Sequence, residues 1–65
     1  MNMVARWETW TAANMLITAR GQVAEEHAEE QIAQAMATGS EGDEAVWRAI
    51  AQHIEEIRAE RREAD

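Results

Sequence analysis

His27 is followed by Glu29 and Glu30, and His53 by Glu55 and Glu56, so the pattern His-x-Glu-Glu occurs twice in 65 residues. A His and a Glu three residues apart share one face of a helix. Imidazole and carboxylate are also the donors that zinc and iron accept. The numbers 27 and 53 add to 80, the register expected for two helices paired through a loop near residue 40, which would bring both His to one level. Carboxylate-bridged iron sites in helical bundles, however, place Glu three residues before the His; here those positions hold Ala24 and Ile50. Histidines at the margin of an apolar seam are the more ordinary reading. A carboxylate and His metal bundle is therefore a minor alternative, and neither metal nor cofactor is expected.

The first His lies within an acidic run, Glu25, Glu26, Glu29 and Glu30. Glu25 with Glu29 and Glu26 with Glu30 are like-charge i, i+4 pairs, which oppose a helix by a few tenths of a kcal/mol each. A solvated acidic face explains them, as does a basic patch on a partner protein. Nucleophilic chemistry finds no footing. Cys is absent, and Gly39-Ser40-Glu41-Gly42 lacks the Lys and spacing of a phosphate loop. A domain this small leaves no room for a pocket of several hundred Å³ that would enclose a substrate. The chain is not expected to be an enzyme.

The remaining conspicuous side chains are indoles. Trp7, Trp10, Asn14, Ile17 and Gly21 follow a strict three-four spacing, and Met15 and Leu16 make the same stretch the most apolar in the chain. Aromatic anchors of this kind are enriched at the centres of interfaces. Trp7, Trp10, Asn14, Leu16 and Ile17 are accordingly the candidate interface, with core filling as the competing role. Trp47 stands on a second stripe opposite Ala33 and reads as core. Met15 and Met36 lie within the helical pattern, where Met usually fills gaps.

Helices must position all of these groups. There is no Pro, Gly occurs three times, and Ala, Glu, Gln and Arg are abundant, so helix propensity dominates and nothing alternates in the rhythm of a strand. The expected fold is all-α. Thr38-Gly39-Ser40-Glu41-Gly42-Asp43 is the clearest break: Gly39 suits a left-handed helix end, and Ser40 with Asp43 resembles a capping box. Two helices, about 22–38 and 44–62, would be roughly 25 and 28 Å long and match as an antiparallel hairpin. Trp47, Ile50, Ile54 and Ile57 form its seam, with Ile32 across from it as core. An N-terminal helix, about 5–20, precedes Gly21, where the spacing predicts a break or a kink. The hairpin cannot cover the apolar start of the chain, so a three-helix bundle, a dimeric bundle, or docking on another protein must do so.

The run Ala13, Leu16, Ile17, Gly21, Ala24, Ala28 and Ala35, then Gly42-Asp43, Trp47, Ile50 and Ile54, resembles a family of short bacterial helical proteins known only as a domain of unknown function. The likeness spans roughly residues 12 to 57. It implies a helical fold and carries no activity with it.

Composition narrows the function classes. At 7.3 kDa residues 1–65 make one small domain, near the size below which folding alone becomes difficult. Without Cys there is no disulfide or thiolate zinc site to staple it. No run approaches the roughly 20 apolar residues of a membrane span, and no signal-peptide layout is evident, so a cytoplasmic location is expected. The net charge of −7 falls almost wholly on residues 25–44, which carry seven acidic and no basic groups. Such a surface repels nucleic acid and anionic lipid. The expected function is that of an acidic protein-interaction module, either self-associating as a dimer or serving as an accessory subunit of a larger complex. The alternative is an acidic inhibitor or nucleic-acid mimic seated in a basic groove, with Arg58, Arg61 and Arg62 diluting the mimicry.

Overall fold

The computed structural model describes residues 6–64. Helix α1 spans Arg6–Arg20, a single 3-10 turn spans Gly21–Val23, and helices α2 and α3 span Ala24–Thr38 and Glu41–Ala64. The described residues are all-α, and no strand occurs among them.

The α2–α3 connection shows how local chemistry ends one helix and starts the next. Gly39 takes φ 73°, a left-handed conformation that costs glycine nothing. Its N–H donates to the Met36 carbonyl at 3.3 Å, and the Ser40 N–H donates to the Ala35 carbonyl at 2.8 Å. Those two bonds constitute a Schellman ending. The next helix begins at once, because the Glu44 N–H already donates to the Ser40 carbonyl at 2.9 Å. Helix α3 therefore starts at Glu41, three residues before the expected boundary of 44. Glu41, Asp43 and Glu44 then all lie in its first turn, where the positive end of the helix dipole favours carboxylates. The Ser40 hydroxyl meets the Thr38 hydroxyl at 3.1 Å.

At the other junction Gly21 has φ 58°, and the 3-10 turn delays α2 to Ala24 instead of 22. Helices α2 and α3 run antiparallel, with Glu25 meeting Arg58 near one end and Met36 meeting Arg48 towards the other. Helix α1 also packs mainly against α3 and only slightly against α2. The molecule is elongated, 40 × 26 × 17 Å with a radius of gyration of 12.1 Å; a compact chain of this length would have about 10.7 Å.

The core is narrow. Ile50, Ile54 and Ile57 of α3 meet Ala24 and Ala28 of α2 and Ala13 and Ile17 of α1. Large side chains from one helix thus interlock with small ones from two others. Ile54 is completely enclosed, and Trp47, Val46, Ala51, Ala12 and Leu16 pack around the margin. Two expectations need correction. Ile32 is only half-buried and stands outside the central cluster, because the inward face of α2 is the alanine row Ala24, Ala28 and Ala35; Ile32 lies about 60° round the helix from that row. Ala33 is exposed on the far side of α2, so it does not face Trp47. The indole instead meets the His27 ring edge-on, with centroids 5.5 Å apart and planes at 74°.

Candidate interaction surface

Successive helical positions advance about 100°, so residues four apart stay close to one face. On α1 the inward face is Thr9, Ala13 and Ile17, all buried. Ala13 and Ile17 of this face join Ile50, Ile54 and Ile57 of α3 in the core. Trp7 lies about 160° from Thr9 round the helix, and it points away from the core with 68% of its surface exposed. Trp10 sits between the two faces at 43%, and Met15 on the outer side reaches 65%.

The expected interface set therefore divides. Trp7 and Trp10 stand outward, and Asn14 is half-buried at the edge, where the Arg61 guanidinium reaches its Oδ1 at 3.5 Å. Ile17 belongs to the chain's own core, and Leu16 packs against it. The reason is that two stripes compete on α1, and the one bearing Thr9, Ala13 and Ile17 packs against α3. Met15 and Met36 do not fill gaps, because both are largely exposed.

The acidic run also changes character. Glu26, Glu29 and Glu30 are exposed, whereas Glu25 is held by Arg58 of α3. The guanidinium donates to both carboxylate oxygens, through Nε at 2.8 Å and Nη2 at 2.9 Å, and Nη2 also donates to the Gly21 carbonyl at 2.7 Å. One side chain thereby ties α3 to the start of α2 and to the turn before it. The hydrogen bonds and charge of Arg58 hold the Glu25 carboxyl below its ordinary value of 4.5, against a smaller opposing effect of burial. Arg58 is correspondingly raised by Glu25. By sequence alone Arg58 stands out only as one of three arginines that dilute the acidic mimicry. The signal that pointed to this bond was its register, since 25 and 58 add to 83, close to the hairpin sum of 80.

The two His residues are not joined in a common site. His27 engages Trp47, while the buried His53 places Nδ1 2.7 Å from Oε1 of Glu56 on its own helix. Among the described residues no group of three His, Cys, Asp or Glu side chains converges as a metal site would require. Between α2 and α3, Glu29, Ile32, Arg48, Ala51 and Glu55 line a groove of about 270 Å³. A second hollow of about 440 Å³ lies beside Arg58, Glu55 and Arg62. Charged groups of both signs flank each of them: Glu29, Glu55 and Arg48 the first, and Glu55, Arg58 and Arg62 the second. Among the described residues no helix is long and apolar enough to cross a membrane.

Comparison with known proteins returns no match to this chain among protein-family models, curated proteins or solved structures.

Proposed function

We propose that this chain is a protein-interaction module that presents the outer face of α1, centred on Trp7, Trp10 and Met15, to another protein surface and has no catalytic activity of its own. In this reading Gly21 ends α1, and α1 folds over the α2–α3 hairpin as a third helix. A single observation carries the proposal: Trp7 and Met15 remain largely uncovered, with Trp10 partly exposed beside them, while the opposite face of the same helix is already packed. Contiguous exposed apolar surface on a small protein marks a binding site more often than chance placement, and Trp is the residue type most enriched among energetically dominant contacts. The exposed Glu26, Glu29 and Glu30 add electrostatic selection against anionic partners. Capture of Glu25 by Arg58 removes one carboxylate from that row and weighs against the nucleic-acid mimic.

The test compares affinity purification from the native cell using the wild-type chain and the Trp7→Ala, Trp10→Ala double variant, after both are shown by circular dichroism to be equally helical. Proteins recovered by the first and lost by the second support the module, copies of the chain itself included. Identical recoveries remove α1 from the proposal.

A further inference from the structure

We infer that the groove between α2 and α3 receives an arginine side chain from a basic segment of another protein, its guanidinium held between Glu29 and Glu55 and its methylenes laid on Ile32 and Ala51. No residue of α1 lines this groove, so the inference goes beyond the surface proposed above and does not rest on it.

Register is the first support. Glu25 bonds to Arg58 and Met36 meets Arg48, which sets Glu29 level with Glu55, and Ile32 level with Ala51, across the two antiparallel helices. At the Glu25 level opposite charges meet and pair. One turn on, two exposed carboxylates face each other across the groove instead. Like charges so placed repel, and a cation between them turns the repulsion into two attractions.

Charge balance is the second. The arginines nearest the groove are already engaged, Arg58 by Glu25 at 2.8 Å and Arg48 by Glu44 at 2.7 Å. Each pair is neutral as a unit, so the local field is set by Glu29, Glu55 and the neighbouring exposed Glu26 and Glu30 of α2. Arg62 stands seven residues beyond Glu55, about 10 Å along α3, and exposed charges are screened over about that distance at 0.1 M salt.

The floor is the third. Ile32 is half-buried outside the central cluster, and the Ala51 methyl level with it is too short to cover it. Both line the groove of about 270 Å³. An apolar floor under an acidic rim suits a long basic side chain, which lays its stem on hydrocarbon and keeps its charge in water. A bare metal ion would gain nothing from Ile32 and Ala51. Arginine fits better than lysine, because its planar guanidinium presents donors to two carboxylates at once.

The test is amide NMR of the full chain titrated with a capped tetra-arginine peptide at about 0.1 M salt. Saturable shifts are expected at residues 29, 32, 51, 52 and 55, with smaller ones at residues 41–43, where Glu41 and Asp43 are also exposed. Glu29→Gln combined with Glu55→Gln should weaken binding by about three- to tenfold. That variant should fold at least as stably as the wild type, since Glu29 repels Glu25 one turn away. Glu41→Gln combined with Asp43→Asn removes the same charge elsewhere and should weaken binding by less than about twofold. Equal weakening by both double variants, or shifts spread evenly over every exposed carboxylate, would leave only diffuse attraction and overturns the site. Absence of a saturable shift overturns it as well. Groove shifts of the same size from magnesium chloride alone would make the occupant a metal ion, and groove shifts that follow chain concentration without peptide would make it a second copy; either result overturns the inference. None of these outcomes touches α1, whose role is decided by the affinity comparison above.

Discussion

Replacing Gly21 with Ala tests the junction on which the arrangement of α1 depends. Its φ of 58° lies where an L-residue pays roughly 1–2 kcal/mol relative to the right-handed region. An added Cβ would meet nothing within 4 Å, so the backbone conformation alone sets the folded-state cost. Against it stands a gain of about 0.4–1 kcal/mol, because Ala restricts the unfolded chain more than Gly does. The net expectation is destabilisation by about 0.5–1 kcal/mol. For a domain of this size that lowers Tm by roughly 3–6 °C. D-alanine at the same position prefers positive φ and should raise Tm instead; at 65 residues the chain is accessible to chemical synthesis. Gly42 provides the control, since it sits inside α3 without a positive φ. Gly42→Ala should stabilise by about 0.5 kcal/mol through helix propensity. The assay is thermal melting followed at 222 nm at fixed chain concentration. If Gly21→Ala stabilises as Gly42→Ala does, a continuous helix runs through residue 21 and the reasoning is wrong.

Ile54→Ala removes the completely enclosed side chain of the core and should cost about 3–4 kcal/mol. That is comparable to the whole stability of a domain this small, so loss of the cooperative melting transition is expected. Trp47→Ala should destabilise the monomer by more than Trp7→Ala, whose exposed indole leaves stability within about 0.5 kcal/mol; urea titrations at low chain concentration check the order. Glu25 has a depressed folded-state pKa, so the stability from its pairing with Arg58 is present above the unfolded value near 4.5 and is lost as pH falls through the folded value. Glu25→Gln should accordingly show a flatter dependence of Tm on pH below about 4.5 than the wild type, and curves that stay parallel there would refute the coupling. At neutral pH, Arg58→Ala should lower Tm and speed amide exchange at residues 21–25 ahead of residues 41–45.

How much of this was legible in the sequence depended on how far each interaction reaches along the chain. The Gly39-Ser40 connection was readable because its hydrogen bonds join residues within five positions. The start of α3 was missed by three residues, since Glu41-Gly42-Asp43 reads as loop by composition yet satisfies the helix dipole in place. The isoleucine seam at 50, 54 and 57 was evident from its spacing, which no competing stripe on that helix contradicts. On α2 the buried row is alanine, with too little hydrophobic signal to outrank Ile32 in a reading by residue type. The candidate surface was half legible. Trp7 and Trp10 were singled out, but Ile17 was grouped with them although it faces the core, and Met15 was assigned to packing.

What the amino-acid order by itself determined was the helical state, the connection between α2 and α3, and the side of α3 that turns inward, all of which follow from propensity, capping and the 3.6-residue period. Only the tertiary structure decided which side of α1 is buried, because periodicity identifies the residues that share a face without ranking two faces against each other. Packing against α3 settled that ranking in favour of Thr9, Ala13 and Ile17, all of which are buried. The same packing brought Arg58 to Glu25 and Gly21, groups 33 and 37 positions away in the chain, and left Trp7 facing solvent with Trp10 at the boundary.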